Sequence, residues 1–240
     1  NFQLLGQPIH SELIRALAQV KRACAEANRR VGLLEVPIAQ AIGWACERIE
    51  QGEHHEQFIT DALQGGAGTS MNMNANEVIA NLAIEHLGGK RGDYGVVHPL
   101  DHVNLSQSTN DVVPTAVKLA AIRLLRGTSE AMAGLQAELQ GKERELAGVL
   151  KVGRTELQDA VPITLGQECA AWAQAVQRDW WRLYKAEERL RQVNLGGTAI
   201  GTGLNADKEY VYVVVDVLRE LSGIGLARAE NAIDATQNSD

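Results

Sequence analysis

Apolar residues return along this chain at the helical period almost from end to end. From Ser11, the positions Leu13, Leu17, Val20, Cys24 and Val31 recur at spacings of three, four and seven. That is the stripe of a helix with one face in a core, and Ser11 is a fitting N-cap. A second helix is predicted through Val78, Ile79, Leu82 and Leu87, with Gly88 as its stop, and a third from Pro114 in a first turn through Val117, Ala121 and Leu124 to a stop at Gly127. From Ser129, the positions Met132, Leu135, Leu139, Leu146 and Val149 follow a heptad broken only by Lys142. The longest pattern, Leu165, Cys169, Trp172, Val176, Trp180, Leu183, Glu187 and Leu190, predicts a helix of about seven turns, a length typical of bundles. Trp180 and Trp181 are adjacent and cannot share one seam, so one of them is predicted to meet a second bundle face or another subunit. The run "YVYVVVDV" at 210–217 is rich in β-branched residues, which favour strands. Val211, Val214, Leu218 and Leu221 nevertheless make one stripe, and no other strand is evident, so a helix is expected there too. The pattern as a whole predicts an all-α fold.

Four polar segments, three of them with glycine, interrupt these helices: 64–76 (QGGAGTSMNMNAN), 98–111 (HPLDHVNLSQSTND), 152–159 (VGRTELQD) and 195–206 (LGGTAIGTGLNA). All five prolines are expected at helix edges or in loops. A helix that starts after such a segment has about four unpaired N–H groups and a partial positive charge at its first turn. Hydroxyl residues there add donors, and together they can hold a carboxylate without lysine. Two such starts facing each other would suit a dicarboxylate. Each segment also has a plain structural reading. Ser108, Thr109 and Asn110 can simply cap the next helix, and Gly65 and Gly66 can simply supply positive φ. The first segment lacks the lysine of a P-loop. His54 and His55 read as surface, and spacing alone assigns no role to His98 or His102.

Composition narrows the function classes. The 240 residues are 45% hydrophobic, 22% charged and 4% aromatic, an ordinary globular balance for one or two domains. A net charge of −7 and the lack of any Lys/Arg run give nucleic-acid binding no support. The three cysteines are widely spaced and form no Cys/His ligand pattern, so no metal site is expected and they read as buried hydrophobes in a reducing cytoplasm. The longest apolar runs are too short to span a bilayer. The chain opens at Asn1 without an initiator methionine, and either end reads as a possible cut.

The four segments "GGAGTSMNMNANEVIANLA", "DHVNLSQSTNDVVPTA", "GRTELQDAVPITLGQE" and "GGTAIGTGLNA" resemble, in this order, motifs of the aspartase/fumarase superfamily. The resemblance covers essentially the whole chain. "GGAGTS" and the ending "IDATQNSD" are more similar to its ammonia-lyase branch than to its hydratase branch. The resemblance implies an L-aspartase-like fold, with a mainly helical N-terminal domain over 1–108 and the first part of a long up-and-down helical bundle over 109–240. It implies a reversible elimination of ammonia from L-aspartate to give fumarate, without an organic cofactor, in a cytoplasmic homotetramer whose sites combine loops of three subunits. Thr69, Ser108 and Thr109 match substrate-carboxylate donors, with Ser108 and Thr109 toward the β-carboxylate. Asn110 matches a contact to the amino group and Thr155 one to the α-carboxylate. Fumarate hydratase, and a non-catalytic structural relative, stand as alternatives.

Two departures qualify the match. Glu156 occupies a place where relatives carry His or Gln. A carboxylate about 4 Å from an anionic substrate would repel it by about 1–4 kcal/mol, so Glu156 is expected to face the substrate ammonium. The superfamily's serine-bearing loop, which supplies the catalytic base, is expected downstream of Asp240, so no catalytic base is assigned within this chain. The chain reads as a fragment, inactive by itself.

Overall fold

A computed structural model describes residues 5–64 and 66–238. Gly65, with its expected positive φ, lies outside the described residues, as do the ends of the chain. In order come α1 (Ser11–Arg30), α2 (Val36–Glu50), α3 (Thr69–His86), α4 (Thr109–Glu145), β1 (Leu150–Thr155), β2 (Gln158–Thr164), α5 (Leu165–Leu190), β3 (Gln192–Val193), α6 (Lys208–Ser222), β4 (Ala227–Arg228) and α7 (Ala232–Gln237). A π-helical turn, Pro99–Val103, precedes α4. The fold is mainly helical, as the periodicity predicts. The chain divides into two compact units, one holding the residues up to Ile122 together with those from Leu190 onward, the other Arg123–Arg189.

In the first unit α1 packs against α2 and α6, and α2 against α3. Leu17, Val20 and Cys24 of α1 are buried with Ile42 and Ile49 of α2, Ile79 of α3, and Val214 and Leu218 of α6. Each of the larger aliphatic side chains contributes about 1.5–3 kcal/mol by leaving water. The ambiguous run at 210–217 is helical for the same reason: Tyr210, Val211, Val214, Val215, Val217 and Leu218 all fall on the buried side of α6. Tertiary burial overrides a β-branched preference of a few tenths of a kcal/mol per residue. Asp207 caps α6, accepting the Glu209 N–H at 2.7 Å. At α1 the cap is His10 rather than Ser11, its Nδ1 accepting from Glu12 N at 3.2 Å. Gly88 does follow the end of α3, in the left-handed region at φ 82°.

The second unit contains the later part of α4, the β1–β2 hairpin and most of α5. Three expectations are corrected here. Gly127 does not stop a helix: α4 runs unbroken to Glu145, so the stripe at Val117–Leu124 and the heptad from Ser129 belong to one helix. One internal glycine costs about 1 kcal/mol, too little to end a helix flanked by good helix formers. The 152–159 segment is not a loop before a helix but most of an antiparallel hairpin, Thr155 pairing with Gln158 across the two-residue turn Glu156-Leu157. Both turn residues have positive φ, 47° and 65°. Such turns are usually announced by Asn-Gly, and Glu-Leu hides them. Pro162 accordingly sits inside β2, opposite Val152, which a ribbon with two edges tolerates. Pro114 also lies beyond the first turn, inside α4.

The start of α5 closes on the end of α4. A Cβ at Gly166 would lie 2.5 Å from the Glu143 carbonyl oxygen, so only glycine fits that approach. Along α5 Cys169 and Ala173 are buried, Trp180 is half-buried, and Trp172, Trp181 and Tyr184 are about half exposed. Trp180 and Trp181 meet edge to face at 5.3 Å, leaving the helix in different directions as adjacent positions must.

Candidate functional site

Ser108, Thr109 and Asn110 of the second motif lie where α4 begins. Ser108 Oγ accepts the Asn110 N–H at 3.2 Å, and Ser108 N donates to Asp111 Oδ1 at 3.0 Å. Together the two bonds form a variant of the capping box, with the hydroxyl bonded to Asn110 rather than to Asp111, so the capping reading of Ser108 holds in this structure. The first turn of α3 comes to the same place. Asn72, one turn beyond Thr69, is buried and donates from Nδ2 to Thr109 Oγ1 at 3.2 Å and to Asn104 Oδ1 at 3.3 Å. Gly68 makes this possible. It caps α3 at φ 87°, and a Cβ there would lie 2.9 Å from Val113 Cγ1 of α4. Thr69 is exposed, and Ser108, Thr109 and Asn110 are half-buried. The structure therefore sets the helix start that carries Thr69 against the one that carries Ser108, Thr109 and Asn110, within one unit.

The fourth motif closes the cluster. Asn110 Nδ2 donates to the Ala199 carbonyl at 2.7 Å, and Asn194 Nδ2 donates to the Asn110 carbonyl at 2.9 Å. The second bond has a specific cause. Pro114 has no N–H, so the carbonyl four residues before it lacks its helical donor, and the Asn194 amide takes that place. Asn194 also donates to Thr236 Oγ1 at 3.0 Å, which joins α7 to the same cluster.

Beneath these residues lies a charge pair absent from the sequence expectations. Lys21 is wholly buried, its Nζ donating to Asn104 Oδ1 at 2.8 Å and Gln107 Oε1 at 2.9 Å. Burial lowers its pKa to about 8, while Cys24 and Asp111 pull the other way. Asp111, also wholly buried, is pushed up by desolvation and drawn back by the N–H groups of Ser108, Thr198 and Gly196 and by Lys21. Lys21 and Asn28 share the face of α1 that carries Leu17 and Cys24, and Asn28 is buried as well, donating to the Leu105 carbonyl at 3.0 Å. A lysine and an asparagine inside an apolar stripe were the available signal for this network.

Thr155 and Glu156 belong to the second unit, at the tip of the hairpin. Both are exposed, and Leu157 beside them is 99% exposed. A positive φ at non-glycine residues costs about 1–2 kcal/mol each, so the tip holds an unfavourable backbone and an uncovered leucine together. Among the described residues no group of three or more His, Cys, Asp and Glu could hold a metal ion, and no helix is long and apolar enough to cross a membrane. His98 caps the π-helical turn, its Nδ1 accepting from Leu100 N and Asp101 N, and His102 Nδ1 accepts from His98 N at 2.9 Å.

Comparison with known proteins puts a family to this arrangement. Residues 3–240 match a protein family described as "Lyase". The chain belongs to this lyase family. It is 50% identical over 240 residues to an aspartate ammonia-lyase of Bacillus subtilis, covering all of this chain and 50% of that protein. It is also 50% identical to an aspartate ammonia-lyase of Pseudomonas aeruginosa, over 99% of this chain and 51% of that one. Among solved structures, a fumarate lyase/delta crystallin from Brucella melitensis superposes with a TM-score of 0.96 at 50% identity, over 98% of this chain and 52% of that chain. A class II fumarase from Schistosoma mansoni gives 0.92 at 31% identity, over 98% and 53%. The chain thus spans about half the length of the curated relatives it matches. In this chain the four motifs read from the sequence are an α3 start, a capping box, a strained hairpin and a clamping turn.

Proposed function

We propose that the complete protein is an aspartate ammonia-lyase, eliminating ammonia from L-aspartate to give fumarate. The observation that carries this reading is the 50% identity to aspartate ammonia-lyases over the whole chain, against 31% for the fumarase. The geometry supports it. Removing the C3 proton places extra negative charge on the β-carboxylate, and stabilisation there acts on the transition state more than on the ground state. Thr69, Ser108 and Thr109 supply neutral hydroxyl donors beside two helix N-termini, which suits a developing dianion without the ground-state grip of a lysine. Asn110, with Nδ2 committed to Ala199, offers Oδ1 as the acceptor for the substrate ammonium. Thr155 binds the α-carboxylate and Glu156 the ammonium. Their exposure at a hairpin tip suits delivery into a site shared between subunits of a homotetramer. The division into an N-terminal domain over 1–108 and a bundle from 109, the cytoplasmic setting, and the base downstream of Asp240 are parts of the same reading.

The test follows fumarate release by its ultraviolet absorbance, using the full-length protein with L-aspartate and, in parallel, L-malate. Turnover of aspartate alone is expected. Turnover of malate alone would make the protein a hydratase, and silence with both would make it a non-catalytic relative. The 240-residue chain alone is expected to be inactive, and measurable turnover by it would refute the placement of the base beyond Asp240.

A further inference from the structure

No substrate-facing role falls to Asp111, the last residue of "QSTND", yet it is among the most completely enclosed charges in the described chain, at 0% exposure. A capping box needs one carboxylate oxygen at a helix start, and Oδ1 alone serves that purpose by accepting Ser108 N. Such a cap stabilises a helix start only modestly, whereas enclosing a carboxylate costs considerably more. The second oxygen accounts for the burial. Oδ2 accepts the N–H of Gly196 at 3.0 Å and of Thr198 at 3.1 Å, so that only donors converge on Asp111. That is the environment of an ionised carboxylate, and Lys21 supplies the opposing buried charge while its Nζ holds Asn104 and Gln107 of the loop leading into Ser108. The turn that Asp111 grips carries Thr198 at φ 57°, an unfavourable conformation for a non-glycine residue. The turn also fixes Asn110 from two sides, through the Ala199 carbonyl and the Asn194 amide.

The geometry points to Asp111 as a positioning residue for the elimination: with Asn194 it clamps the start of α4 to the 194–199 turn, so that Ser108, Thr109 and Asn110 meet the substrate at one fixed spacing. This inference rests on the ammonia-lyase reading. Asp111 touches no substrate and acts through Ser108 and Asn110. A displacement of about 1 Å in such donors can cost on the order of a hundredfold in rate.

The experiment uses the full-length protein and Asp111→Asn, which keeps the shape but turns one accepting oxygen into a donor facing N–H groups. Four quantities are read: kcat and KM for L-aspartate, the inhibition constant of succinate (a C4 dicarboxylate that cannot eliminate ammonia), and Tm. We expect kcat to fall about a hundredfold and succinate to bind at least about tenfold more weakly in folded protein. A lowered Tm with wild-type kcat and wild-type succinate affinity per folded site would overturn the proposal, since a purely structural role predicts that result. Should Asp111→Asn fail to fold, Asn194→Ala loosens the same clamp from the other side. Succinate binding about threefold weaker then supports the clamp, and unchanged binding overturns it. If the wild type leaves aspartate untouched, the ammonia-lyase reading fails separately, and succinate binding measured by calorimetry decides the clamp by the same thresholds. No succinate binding by the wild type overturns both.

Discussion

Replacing Gly68 with alanine tests the contact that sets the first motif against the second. Two costs add at this position. The backbone sits at φ 87°, where an L-residue pays about 1–2 kcal/mol. The new methyl would lie 2.9 Å from Val113 Cγ1 and 3.3 Å from Cγ2, a clash whose relief by shifting packed atoms costs about 1–3 kcal/mol. Gly68→Ala is therefore expected to destabilise by about 2–5 kcal/mol. Gly66 provides the control, because it has φ 82° but nothing within 4 Å of its Cβ position. Gly66→Ala should lose only the backbone part. Denaturant unfolding of the full-length protein gives both values, and combining Gly68→Ala with Val113→Ala isolates the clash, with an expected favourable coupling of about 1–3 kcal/mol. If the two glycine variants lose the same stability and the coupling is zero, α3 and α4 do not approach as described, and the account of how the start of α3 is set against that of α4 fails with them.

Glu26 makes a second case, since Arg29 above all, together with Arg30, lowers its pKa to about 2 from 4.5. A depressed carboxylate stabilises the fold above its unfolded value and loses that contribution as pH falls from 4.5 toward 2. Glu26→Gln should cost about 1 kcal/mol near neutrality, after allowance for solvent screening. The gap in Tm from wild type should close across that acid range, and a constant gap would refute the pairing. Burial pushes Cys24 up to about 12 and also raises Cys46. Native protein should therefore resist alkylation at both thiols in mildly alkaline buffer and react there only when denatured, which peptide mapping would show; prompt native labelling would contradict their enclosure. Glu156→Gln should raise KM for aspartate about threefold to tenfold while leaving fumarate binding unweakened, because only aspartate carries the ammonium. Equal effects on both ligands would refute the ammonium contact.

Much of the fold was legible because one physical rule, burial of one helical face, writes a regular mark. The stripes of α1, α5 and α6 could be read directly, and the helix at 210–217 followed from its stripe despite its valines. What escaped had no local mark. Gly127 looks like a stop because a glycine's cost is visible in sequence, whereas the length of the helix that outweighs it is not. The β1–β2 hairpin turns on Glu-Leu, a pair without turn character, and its strands lie under a motif that reads as a polar loop. At the site, Ser108, Thr109 and Asn110 stood out as a hydroxyl and amide cluster before a helix. Their partners did not, because Asn72, Asn104 and Asn194 are ordinary polar residues until three distant segments meet.

The amino-acid order by itself determined the helical class and the chemistry on offer: hydroxyls and amides at helix starts, and no basic patch. Only the tertiary structure decided what those groups do for one another. It set Lys21 and Asp111 in the interior as opposing charges, gave the carbonyl that Pro114 leaves without a donor to Asn194, and held Thr109 against Asn72 across two elements. The reason is physical. Burial of an apolar face is nearly additive along a helix and so can be read one segment at a time, whereas a buried charge is tolerable only where donors from distant segments converge on it, and that convergence exists only in the folded chain.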